Sequence, residues 1–109
     1  MAAPQLTPAD VVAVLRDEGA LAVDVREAYE WEAGRMQGSE WIPLGELGGR
    51  VGELPRDRPV VIVCRSGSRS GYAADALAAA GYDARNLAGG LQRWAADGLP
   101  LEPADGTVI

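Results

Sequence analysis

Five consecutive apolar residues, Val60-Val61-Ile62-Val63-Cys64, follow Arg58-Pro59 and stop abruptly at Arg65-Ser66-Gly67-Ser68-Arg69-Ser70. A strand with one wet face alternates polar and apolar residues. An unbroken run this short therefore predicts a strand covered on both faces, the central strand of a parallel sheet. The rest of the chain is punctuated to match. Thr7-Pro8-Ala9-Asp10 reads as a helix start, with Thr7 as N-cap, Pro8 in the first turn and Gly19 as the stop. Residues 21–25 form a second apolar run that breaks into Arg26-Glu27. A brief helix over 28–32, a short strand at 41–43 and a glycine-weakened helix over 44–54 precede the central strand. After it come an Ala-rich helix to about 80, a strand over 84–87, a Gly89-Gly90 turn and a last helix over 91–96. Strands alternating with helices give an α/β fold with a mainly parallel sheet. The 109 residues are read as one domain, with its core at about 6–101 and a tail, 102–109, that lacks periodicity and is expected to be partly mobile.

What the chain lacks narrows its chemistry. It has no His, and all ten of its basic residues are Arg. Without imidazole there is no Ser/His/Asp triad, no Cys/His pair and no His-ligated metal. Without Lys there is no Schiff base and no Walker-type phosphate lysine. Cys64 is the only cysteine, so neither an internal disulfide nor a two-cysteine metal site can form. The net charge of −6 disfavours nucleic acid and anionic membranes as partners. No run reaches the length of a membrane span, and the start carries no leader pattern, so a reducing cytoplasm is the expected compartment.

Taken alone, a single cysteine ending an apolar strand is more often a buried hydrophobe than a reactive thiol. The neighbours of Cys64 reverse that reading. Ligands in open α/β sheets bind beyond the carboxyl ends of the strands, where this strand delivers its thiol. The loop that follows runs into a helix start, and Gly67 permits the tight curvature that lets successive N–H groups converge on an anion. Arg65 and Arg69 add positive charge to an otherwise acidic chain. Such surroundings depress a thiol pKa and make a nucleophile within an anion cradle. Asp24 and Arg26 sit at the same sheet edge. They are either a solvated strand end or a support for the loop, with Asp24 pairing a loop arginine. Trp31, Trp41 and Trp94 are assigned to packing.

These residues resemble the single-domain rhodaneses, a sulfurtransferase family, over about 6–101. The carrying segments are Asp24-Val25-Arg26-Glu27 with Glu30-Trp31, then Gly34 and Gly38 ahead of Ile42-Pro43, the 60–64 strand with its CRSGSRS loop, and Asn86-Leu87-Ala88-Gly89-Gly90 with Trp94. The resemblance implies a central parallel sheet flanked by helices and Cys64 as the sulfur-carrying nucleophile. It also implies a substrate-binding loop of Arg65, Ser66, Gly67, Ser68, Arg69 and Ser70. The expected partners are a sulfane-sulfur donor such as thiosulfate and a thiol, cyanide or protein acceptor, with no metal or organic cofactor. Two departures stand out: Arg35 replaces the family's usual His, and Ser39 its usual Ala. A non-catalytic rhodanese-like binding module is the alternative, although such modules commonly lose the cysteine. A phosphatase or arsenate-reductase reading fits less well. Those enzymes place five residues between Cys and Arg, where this chain has four between Cys64 and Arg69.

Overall fold

A computed structural model describes residues 2–109. In chain order the elements are β1 (Gln5–Leu6), α1 (Pro8–Asp17), β2 (Leu21–Asp24), α2 (Ala28–Ala33), β3 (Arg35–Met36), β4 (Glu40–Trp41), α3 (Leu44–Arg50), β5 (Val60–Val63), α4 (Ser68–Ala79), β6 (Ala84–Leu87), α5 (Gly90–Ala96) and β7 (Leu101–Glu102). A 3-10 turn, Val51–Glu53, extends α3. β1, β6, β5, β2 and β4 form one sheet in that order, with every neighbouring pair parallel. The apolar run is its middle strand, as the sequence predicts, with Ile62 in register between Val23 and Asn86.

All four residues of β5 are buried, and their alternation divides the core. Val60, Ile62 and Cys64 belong to a layer with Ala73, Ala74 and Leu77 of α4 and Leu47 of α3. Val61 and Val63 face a second layer with Val11 and Val14 of α1 and Leu91 and Trp94 of α5. The period-two geometry of the strand therefore places the thiol on the α3/α4 side of the sheet. Small residues along α4 let that helix lie close to β5 and β6. At α1 the Thr7 hydroxyl accepts from the Asp10 N–H and the Asp10 carboxylate accepts from the Thr7 N–H, a complete capping box.

At the tail the structure shows contacts that the sequence does not signal. Leu101 and Glu102 pair antiparallel with Met36 and Arg35 in a separate two-stranded sheet. The Thr107 N–H donates to the Ala33 carbonyl at 2.9 Å. Backbone hydrogen bonds thus join the tail to the β3 region at Glu102 and at Thr107. Two-residue strands are too short to show a period, so this pairing has no signature in the sequence. Among the described residues, no helix is long and apolar enough to cross a membrane.

Candidate active site

Because all the main-sheet strands run parallel, their carboxyl ends share one edge. β5 ends there at Val63, immediately before Cys64, β2 ends at Asp24, and β6 at Leu87 just before Gly89-Gly90. The loop after Cys64 curls back over the thiol. The Gly67 N–H donates to the sulfur at 3.1 Å and the Ser70 hydroxyl at 3.2 Å. Cys64 is fully buried, and burial pushes its thiol pKa up. That effect is outweighed by the Ser70 hydroxyl and by the N–H groups of Ser70, Gly67 and Ser66, which hold the thiol below its ordinary value. Hydrogen bonds to the charged form dominate the net shift.

Gly67 has φ +98°, in the left-handed region, and serves as the uncapped N-terminus of α4. A side chain there would meet the Gly89 nitrogen and the Leu87 carbonyl, so the loop lies directly on the β6–α5 turn. At Gly90 (φ +62°) a Cβ would overlap the Arg65–Ser66 peptide. Two backbone bonds cross this contact: Leu91 N–H to the Cys64 carbonyl at 2.9 Å, and Gln92 N–H to the Arg65 carbonyl at 3.0 Å. Asn86, buried on β6, donates through Nδ2 to the Gly67 carbonyl at 3.1 Å. The glycine pair after β6 is thus the seat on which the loop rests.

The six loop residues named from sequence are brought together, but their side chains differ in what they do. Ser70 is buried against the sulfur. The side chains of Arg65, Ser66 and Ser68 are exposed and make no hydrogen bond among the described residues. Arg69 is engaged: its two terminal nitrogens donate to the two carboxylate oxygens of Glu30 at 2.7 and 2.8 Å. That fork holds the Glu30 carboxyl below its ordinary range.

Asp24 and Arg26 do not behave as the loop-pairing reading expected. Asp24 pairs with Arg26 itself, at 2.8 Å, with both side chains fully buried; the loop arginine goes to Glu30 instead. Arg26 also donates to the Gly34 carbonyl at 2.8 Å, and the Trp41 indole N–H donates to the Arg26 carbonyl. Trp41 stacks on Trp31 with ring centroids 6.2 Å apart, and Trp94 is buried. Sequence reasoning named Glu30, Asn86 and Gly90 only within the segments that carry the resemblance, with Gly90 in a turn, and gave them no place in the site. The bare signals were a carboxylate on a short helix, an amide inside a short strand and a doubled glycine. Among the described residues, no group of three or more His, Cys, Asp or Glu side chains is placed to hold a metal.

The model of the rhodanese-like domain family matches residues 7–97. The chain belongs to the rhodanese-like domain family. A sulfurtransferase of Allochromatium vinosum is 40% identical over 90 residues, covering 82% of this chain and 84% of that protein. The thiosulfate sulfurtransferase GlpE of Actinobacillus succinogenes is 33% identical over 107 residues, 97% of this chain and 96% of that one. Among solved structures, a rhodanese-related protein from Thermoplasma volcanium superposes with a TM-score of 0.83 at 30% identity, over 90% of this chain and 96% of that chain. Within this rhodanese-like domain, Arg35 lies in the β3–β7 sheet. Its guanidinium sits 4.9 Å from the Trp31 ring centroid and donates to the Trp31 carbonyl at 3.1 Å. Arg35 is thereby committed to packing against Trp31.

Proposed function

We propose that this rhodanese-like domain is a sulfurtransferase that carries sulfane sulfur on Cys64, from a donor such as thiosulfate to cyanide or a thiol acceptor. The observation that carries the reading is the cradle around the thiol: a buried sulfur held toward its anionic form by the Ser70 hydroxyl and three loop N–H groups. In the loading step the Cys64 thiolate attacks the outer sulfur of thiosulfate. A sulfur–sulfur bond forms, the bond to the sulfonate sulfur breaks, and its electron pair leaves with sulfite. No proton moves, so a chain without histidine loses nothing in this step. The same N–H groups are suited to the negative charge that then resides on the persulfide. In the unloading step cyanide or a thiolate takes the outer sulfur, and the electron pair returns to Cys64.

Exposed Arg65, which has no carboxylate partner among the described residues, is the loop cation left to draw in an anionic donor. Arg69 is occupied by Glu30. That commitment counts against a phosphatase, which needs its loop arginine on the phosphoryl oxygens. A lone thiol nucleophile stays usable in the reducing cytoplasm, the compartment this reading assigns. Thiosulfate and cyanide with the purified protein are expected to yield thiocyanate, and an aryl phosphate is expected to be hydrolysed more slowly. Phosphate release that outpaces thiocyanate formation would transfer the protein to the phosphatase reading. Absence of both activities would make it a binding module.

A further inference from the structure

Four charged side chains of alternating sign run from the sheet to the loop: Asp24, Arg26, Glu30 and Arg69. Asp24 and Arg26 pair at the end of β2, and the Arg26 charge helps hold the Glu30 carboxyl low. Glu30 is 3% exposed. Its Oε1 accepts both the Glu27 N–H at 3.1 Å and Arg69 Nη1 at 2.7 Å, and its Oε2 accepts Arg69 Nη2. The Glu27 N–H thus fixes the carboxylate at the start of α2 as it grips the loop. α4 has no side-chain cap of its own, and Arg69 lies in its first turn beside Ser70.

We propose that Glu30 is a positioning residue for sulfur transfer: by gripping Arg69 with both oxygens it fixes the first turn of α4, and with it the Ser70 hydroxyl and the N–H groups that stabilise the Cys64 thiolate. This rests on the sulfurtransferase reading given above. Asn86 holds the loop from the β6 side through the Gly67 carbonyl, and Glu30 holds it from the α2 side. The bonds at the sulfur are directional, so a small rotation of that turn weakens them.

A role through position differs measurably from one through charge. The charged and titratable groups around the site are Glu30 and Tyr29 from α2, the Asp24–Arg26 pair at the end of β2, Arg69 from α4 and Arg65 from the loop; on β6 the neutral Asn86 meets the loop, while Arg85 pairs with Asp83 and Glu18. If Glu30 and Arg69 acted by their fields alone, Glu30→Gln would lower the Cys64 ionisation midpoint and Arg69→Gln would raise it. If they act as one clamp, both changes raise it, and the double variant adds nothing further.

The experiment is the pH dependence of Cys64 alkylation by iodoacetamide in the parent, Glu30→Gln, Arg69→Gln and the double variant, with folding checked by circular dichroism. Each single change is expected to raise the midpoint by about one pH unit, a roughly tenfold loss of thiolate at a fixed pH below it. The double variant is expected to match the singles. A midpoint unchanged or lowered in Glu30→Gln overturns the proposal. Should Glu30→Gln fail to fold, Arg69→Lys keeps the charge and removes the fork; a raised midpoint supports the clamp and an unchanged one overturns it. Alkylation needs no sulfur donor, so the two readings fail separately. A parent protein that takes no sulfur from thiosulfate defeats the sulfurtransferase reading. A parent that loads sulfur while the variant midpoints stay put defeats only the clamp.

Discussion

The hydroxyl of Ser70 and the sulfur of Cys64 meet at 3.2 Å, with both residues closed to solvent. A hydroxyl so placed donates to the thiolate more strongly than to the thiol, and it is the largest of the contributions that hold Cys64 below its ordinary pKa against the effect of burial.

Ser70→Ala is therefore expected to raise the pH at which Cys64 ionises. A hydrogen bond to a charged partner contributes about 1.5–3 kcal/mol, equivalent to about one to two pH units. In single-turnover loading by thiosulfate, the parent rate should rise through one transition below the value of free cysteine and then level off. The Ser70→Ala curve should be displaced to higher pH with a similar plateau. Superimposable curves would show that the N–H groups alone set the ionisation.

Arg65→Ala addresses capture of the donor. Arg65 is exposed and has no carboxylate partner among the described residues, and the chain as a whole carries −6, so the substitution removes local attraction in a repulsive global field. Loading by thiosulfate is expected to lose about tenfold in kcat/KM, chiefly through KM and less so at high salt. Transfer from the loaded protein to an uncharged thiol should change little. Unaltered thiosulfate kinetics would leave the backbone N–H groups as the whole anion site.

The seat beneath the loop yields a stability prediction. Gly90→Ala places a Cβ into the Arg65–Ser66 peptide at a left-handed backbone position. The conformational and overpacking costs together reach about 2–4 kcal/mol. Thermal unfolding should show a fall in Tm of several degrees or more. Cys64 alkylation should shift to higher pH as well, because the Ser66 N–H is one of the groups facing the sulfur. An unchanged Tm would contradict the close packing of α5 on the loop.

Glu30 adds a pH dependence of stability. Its pKa is lowered by the Arg69 hydrogen bonds first, against burial, with help from the Arg26 charge. A carboxyl depressed in the folded state stabilises it fully above the unfolded value of about 4.5, and that contribution is lost as pH falls through the depressed folded value. The stability gap between the parent and Glu30→Gln should be constant near neutral pH and shrink in acid, as read from urea unfolding at several pH values. A gap that persists unchanged into acid would show that the carboxylate charge is not the stabilising element.

The central strand, its thiol and the loop after it are legible in the sequence because their signals are local: an unbroken apolar run, a glycine and two arginines within six positions. The N-cap at Thr7 is legible for the same reason. The Glu30–Arg69 fork spans 39 positions, and only the parallel packing of β2 beside β5 brings its two ends together. The antiparallel pairing of Arg35-Met36 with Leu101-Glu102 is likewise a tertiary product of two fragments too short to show a period. Asp24, read either as a solvated strand end or as a partner for a loop arginine, has Arg26 two residues away as a nearer guanidinium, and the short chain separation decides the pairing.

Intact-protein mass spectrometry tests the central claim most directly. After incubation with thiosulfate and removal of the excess, the parent protein should gain the mass of one sulfur atom and lose it on addition of cyanide, while Cys64→Ser should gain nothing. A parent protein that stays at its original mass, or a serine variant that takes up sulfur as the parent does, would contradict the account.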